Sequence, residues 1–213
     1  MPNQTSQKAS HSFGYIKLEC TENGRLDLLC KELRKEFPKL RMQHKRRHWY
    51  WRALNWIVLI VTFGGNRVFN ARYTTTVRKT IGWSDKQWER IRKKAQGWED
   101  RIWSTLMHER EHLRQFKKYT TPIMGLGYIF VFFPIGLAYV RARFERAGYL
   151  QTLRCWYVLD RKWAEHPEAR VWWIKQFTTG SYGWMLPFKK TVGRWFDQEL
   201  KRLQELAADP TYS

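Results

Sequence analysis

Cysteine is scarce in this chain. Cys20, Cys30 and Cys155 are the only three in 213 residues. An odd number with no C-x-x-C pair argues against a disulfide framework and against a thiolate zinc site, and suits a reducing compartment. Acidic residues are also few: 19 Asp and Glu stand against 39 Lys and Arg, a formal net charge of +20. The start, MPNQTSQKASHSFGYIKLEC, has no apolar segment behind a basic one. A secretory signal is therefore not expected, and the expected location is cytoplasmic, with membrane association left open. No internal repeat or low-complexity tract is visible, and nothing marks a second domain.

Large side chains are plentiful. With 13 Trp, 12 Phe, 10 Tyr and 43% hydrophobic residues, the chain is too rich in core-forming groups to stay disordered whatever its charge. Its length fits one domain. The division expected is a basic N-terminal extension with a short helix over residues 1–47, followed by the main domain over 48–213. The excess of positive charge would attract anions, so nucleic acid and acidic membrane surfaces are candidate partners of the basic N-terminal half. HKRRHWYWR, at residues 44–52, interleaves cations with aromatics as single-strand binders do. The favoured reading instead makes Trp49 and Trp51 core or interface anchors and leaves the cations in water.

Periodicity predicts the following elements. Leu26, Leu28, Leu29, Leu33 and Phe37 have helical spacing and end before Pro38. Residues 1–22 are polar and irregular, and Gly64-Gly65-Asn66 closes the apolar stretch Leu54–Phe63. RVFNARYTTTVRKTIG, at 67–82, is rich in Val, Thr, Ile, Tyr and Phe and suits one or two short strands. Ser84 with Gln87 resembles a capping box opening a helix to about Gln96, and Gly97 separates it from a second helix over Asp100–Lys118. From Pro122 to Val140 nineteen residues carry no charge. A buried or surface-dipping hairpin, turned at Pro134 and Gly136, is favoured there over a membrane span. Leu137, Val140, Phe144, Ala147, Leu150 and Leu153 trace a further helix, with others over Glu168–Phe177 and Lys190–Ala207. The fold class expected is α+β: a mostly helical single domain with a short β-hairpin or small sheet.

The chemistry lies in TLMHEREHLRQF. His108 and His112 are four residues apart, so a helix presents both imidazoles on one face, where they can take two corners of a zinc tetrahedron. Glu109 can take a proton from a water at the metal and return it to a leaving group. Catalytic zinc wants a third protein ligand. Glu145 is the candidate, thirty-three residues after His112 on a separate helix, with Asp160, Glu165 and Glu168 as weaker alternatives. Against this, HEREH could be a solvated, charge-rich helix face, and Glu145 an ordinary surface partner of Arg141. His11, His44, His48 and His166 lie in polar surroundings and receive no metal role.

HEREHLRQF followed by ARFERAGY resembles the gluzincin zinc metallopeptidases, most nearly small bacterial metallopeptidase-like proteins. RYTTTVRKTIGW and GSYGWMLPF extend the likeness weakly, over roughly residues 60–195. The resemblance implies a strand bordering a substrate cleft, the active helix behind it, and a second helix bringing the third ligand. It implies one zinc ion per chain on His108, His112 and Glu145, Glu109 as general base, and a peptide or protein substrate. The chain departs from the family after Glu145: Arg146-Ala147-Gly148-Tyr149 lacks the acid that commonly orients a ligand histidine, so that support is unassigned. Candidates for stabilising an oxyanion are Tyr149, Tyr182, Arg141 and His166. A zinc-dependent peptidase is the expected function, with a cell-wall amidase as a variant. The alternative is a non-catalytic protein that binds nucleic acid or membrane surface and whose metal is structural or absent.

Overall fold

The computed structural model describes residues 24–61, 71, 73–119, 123–124, 137–179, 186 and 188–209. In chain order these form α1 (Arg25–Glu36), β1 (Arg41–His44), a single turn of tighter helix at Lys45–Arg47, α2 (Trp49–Val61), β2 (Thr75–Val77), β3 (Thr80–Trp83), α3 (Asp85–Lys93), α4 (Trp98–Lys118), α5 (Leu137–Leu159), α6 (Arg161–Glu165), α7 (Pro167–Thr178) and α8 (Lys189–Ala208). The architecture is α+β and mostly helical, as expected. The readings placed on residues 1–22, on Gly64-Gly65-Asn66, on Pro134 and Gly136 and on Tyr182 lie outside the described residues, as does most of the run from 122 to 140. Among the described residues no helix is long and apolar enough to cross a membrane.

The expected hairpin is β2–β3, antiparallel with Thr76 opposite Ile81. It turns through Arg78, whose φ of 54° lies in the left-handed region. A third strand was not foreseen: β1 runs parallel to β3, with Met42 opposite Ile81, and the sheet order is β1-β3-β2. Arg41-Met42-Gln43-His44 has no β-branched residue and buries only Gln43 fully. Its strand conformation is imposed by a partner distant in sequence, which local propensity does not report.

The sheet and α1 share one apolar core with α4. Leu26, Leu29, Cys30, Leu33 and Phe37 pack with Ile81, Trp83, Ile102, Leu106 and Leu113. The packing is thus continuous across residue 47, where an extension was expected to end. Arg110 and Arg114 clamp α1 onto α4. Arg110 donates to Glu32 and Glu36 over 2.8 Å, and Arg114 to Glu36 over 2.8 Å.

Two aromatic and cationic assignments change. Trp51 is fully buried as anticipated, but Trp49 is 72% exposed, and Lys45 is fully buried instead of solvated. Lys45 Nζ donates to the Tyr73 carbonyl over 2.7 Å and to Thr75 Oγ1 over 2.6 Å. His44 stacks on Trp88 and bonds Asp85 over 2.8 Å, which uses its imidazole structurally. Half of the capping box forms: Ser84 Oγ accepts from the Gln87 amide N–H, while the Gln87 side chain turns away to Thr105. Gly97, at φ 65°, separates α3 from α4.

The second core gathers α5 with α6, α7 and α8 around Tyr149, Leu153, Tyr157, Trp173, Phe177, Val192 and Phe196. On α5 this core takes Ala142, Tyr149, Leu153 and Tyr157, offset from the expected stripe, whose Phe144, Ala147 and Leu150 are half-buried. α5 lies between α4 and the C-terminal helices, so it buries two sides and shows no single stripe.

Candidate metal centre

α4 is anchored on one side by Ile102, Leu106 and Leu113, all at most 1% exposed. That anchoring turns positions 108, 109 and 112 toward α5 and the sheet edge. His108 and His112 sit one turn apart with their Nε2 atoms 3.1 Å from each other. Across the α4–α5 seam, Glu145 Oε2 lies 3.5 Å from His108 Nε2 and 3.7 Å from His112 Nε2. Among the described residues these three form the one group able to hold a metal, their ligand atoms all within 4.8 Å of one another. A tetrahedral ion with bonds of about 2.0–2.1 Å has ligand–ligand edges of roughly 3.3–3.4 Å. The three separations bracket that value.

The second nitrogens of both rings are held. His112 Nδ1 lies 3.0 Å from Gln115 Oε1, and the amide end of Gln115 donates to the Phe144 carbonyl over 3.0 Å. The Gln115 oxygen is therefore the atom that accepts from the ring N–H. His108 Nδ1 lies 3.2 Å from Thr152 Oγ1, whose proton goes to the Gly148 carbonyl. Thr152 therefore also accepts. These bonds assign both rings the Nδ1–H tautomer and turn two Nε2 lone pairs toward the Glu145 carboxylate. With both rings neutral, three electron-pair donors meet with no hydrogen donor among them, an arrangement suited to a cation.

The same negative surroundings also favour a proton on His112, which a metal cation would have to displace. Burial depresses the pKa of His112, but the Glu145 carboxylate, its hydrogen bond and Glu109 outweigh it and raise the value to about 9. Burial likewise disfavours the Glu145 carboxylate, yet the paired histidines hold it well below the ordinary range. Glu145 is 5% exposed and its partners are His108 and His112, not Arg141 in a surface ion pair.

Glu109 is 4% exposed, and Oε2 accepts a hydrogen bond of 2.7 Å from Thr76 Oγ1 on the edge strand β2. Thr76, Thr152 and Gln115 have no assigned part in the sequence reading. Gln115 was within reach of it, three residues after His112 on the same helix. Thr76 needed the sheet register, and Thr152 the packing of α5 on α4.

The alternative acids lie elsewhere. Asp160 caps α6, Glu165 pairs with Arg161, and Glu168 is exposed in the first turn of α7. His166 caps α7 through its ring nitrogen. Of the oxyanion candidates, Tyr149 meets the centre, its ring edge-on to His108 with centroids 4.9 Å apart and its hydroxyl donating to Gln176 over 3.3 Å. Beside the metal group opens a cleft of about 240 Å³ whose lining includes His108, Glu109, Tyr149, Trp156 and Trp172.

No family model matches this chain, and neither curated proteins nor solved structures give a significant match.

Proposed function

We propose that this protein is a zinc-dependent hydrolase acting on peptide bonds. The observation that carries the reading is the convergence of His108 Nε2, His112 Nε2 and Glu145 Oε2 at 3.1–3.7 Å, with Glu109 buried beside them. Two further features favour catalysis over a structural metal. Three protein ligands leave a tetrahedral ion one position for water or substrate, whereas structural sites are closed by four. His108 and Glu109 also line the cleft, so a substrate has a way in.

Zinc at this site would supply a Lewis acid that polarises a carbonyl and acidifies water. The chain's own groups do the rest. Glu109 takes the proton of the attacking water on its carboxylate and delivers it to the leaving nitrogen as the C–N bond breaks. Thr76 holds that carboxylate through its 2.7 Å hydrogen bond. Gln115 and Thr152 keep both imidazoles in the ligating tautomer.

The test is metal content by elemental mass spectrometry on wild type, His108→Ala and Glu145→Ala, followed by a peptide-substrate screen on wild type and Glu109→Gln. About one zinc per chain, lost in both ligand variants, with turnover abolished in a Glu109→Gln protein that keeps its metal, is the expected result. Folded wild type that takes up no zinc on reconstitution would reject it in favour of a non-catalytic basic binding protein.

A further inference from the structure

The cleft beside the metal group carries charge at its far end that the hydrolytic centre does not use. Its wall along α4 is formed by Arg101, Ser104, Thr105 and His108, and Arg90 from the last turn of α3 faces the same space. Arg90 Nη1 donates to Gln87 Oε1 over 3.3 Å, and among the described residues no carboxylate pairs with either guanidinium. Among the described residues Glu109 is the one acid lining the cleft, and it lies two helical turns from Arg101. Arg90 and Arg101 also feel each other: burial and the Arg101 charge both weaken the hold of Arg90 on its proton. Arg90 is half-buried and Arg101 exposed; two like charges on one cleft attract an anionic ligand, and guanidinium forks match carboxylate geometry.

Resting on the peptidase reading, we propose that Arg90 and Arg101 form a carboxylate subsite that selects peptides carrying a negative charge close to the bond cleaved. Seven residues of α-helix separate Arg101 from His108, about 10.5 Å. An extended peptide covers that in about three residues at roughly 3.3–3.6 Å each. The anionic group is therefore a C-terminal carboxylate or an acidic side chain within three residues of the scissile bond. Tyr149, Trp156 and Trp172 also line the cleft and offer aromatic surface to an apolar side chain between the two ends. A polynucleotide fits less well, because the cleft leads to a carboxylate, Glu109, at the metal end.

The test measures retention of random octapeptides, read by mass spectrometry, on full-length Glu109→Gln protein at about 0.15 M salt, where surface attraction is screened beyond about 8 Å. Three pools are compared: free C terminus without Asp or Glu, amidated with Asp and Glu, and amidated without them. At least tenfold enrichment of the first pool over the third assigns the terminal carboxylate, and of the second over the third an acidic side chain. Either enrichment should vanish in a protein also carrying Arg90→Gln and Arg101→Gln, with circular dichroism and zinc content unchanged. Equal retention of all pools overturns the proposal, as does a preference that survives the double substitution, which would report the general +20 charge. Arginine-dependent retention of single-stranded DNA with no peptide preference would overturn it too, reassigning the pair to phosphate. Running the assay on chelator-treated protein as well, with metal content recorded on the same samples, separates failure of the subsite from failure of the zinc centre.

Discussion

Gly148 faces His108 so closely that a methyl group on its Cα would stand 2.7 Å from Nε2 and 2.8 Å from two ring carbons. The imidazole edge occupies the space a side chain would take, and the obstructing atoms belong to a ring fixed by Thr152. Gly148→Ala must therefore displace His108 from Glu145. In an exposed helix the same change would be favourable by about 1 kcal/mol, so the variant should stay folded. The expected outcome is at least a tenfold loss of zinc affinity, with helical content retained. Zinc affinity equal to wild type would contradict the assigned role of His108.

Gln115 and Thr152 offer a gentler perturbation, since neither provides an atom to the metal group. Removing a partner that orients a ligand histidine commonly costs ten- to a hundredfold in metal affinity. Gln115→Leu and Thr152→Val should each fall in about that range when titrated against a competing chelator. Wild-type affinity in both would mean that the Nδ1 contacts do not set the tautomers.

Thr76 and Glu109 separate positioning from proton transfer. Glu109→Gln removes the base and should lower turnover by about 10²–10⁴. Thr76→Val keeps the carboxylate and removes the 2.7 Å bond that aims it. On any substrate found by screening, it should lower kcat by roughly tenfold with little change in KM or zinc content. A Thr76→Val enzyme altered only in KM would place Thr76 in substrate binding instead.

What the sequence made legible follows from what each signal depends on. H-E-x-x-H is a local pattern, and the turn between His108 and His112 needs only a helix. Glu145 could be placed because a long connection permits return and a helical period followed it. The hairpin was readable at its β-branched stretch. β1 was not, because Arg41–His44 becomes a strand through pairing with β3, which no four-residue window contains. Lys45 and Trp49 exchanged their expected environments for a related reason. Alternating cations and aromatics state that one face is buried, but not which, and the tight turn at Lys45–Arg47 rotates the lysine inward. The groups that hold the two imidazoles, Thr152 and Gln115, are neutral, and neutral partners carry no signature at a distance in sequence.

Lys45 should make stability depend on alkaline pH. Its ammonium is buried against Trp51 and bonded to Tyr73 and Thr75. Burial lowers its pKa from 10.5 to about 7, opposed by the charges of Glu109 and Asp85. Below about pH 7 the folded and unfolded chains both hold the proton, and folding bears the whole cost of burying the charge. Between about 7 and 10.5 the folded chain has released that proton while the unfolded chain keeps it. The unfolded state then binds more protons, so this residue's contribution to stability rises with pH across that window. Lys45→Met fills a similar volume without a titrating group and removes the effect. In urea titrations at pH 6.5, 8 and 9.5, wild type should gain on Lys45→Met as the pH rises, whatever slope other groups add to both. Curves that stay parallel from pH 6.5 to 9.5 would show that Lys45 keeps its proton in the fold, held by the negative charge of Glu109 beside the metal group.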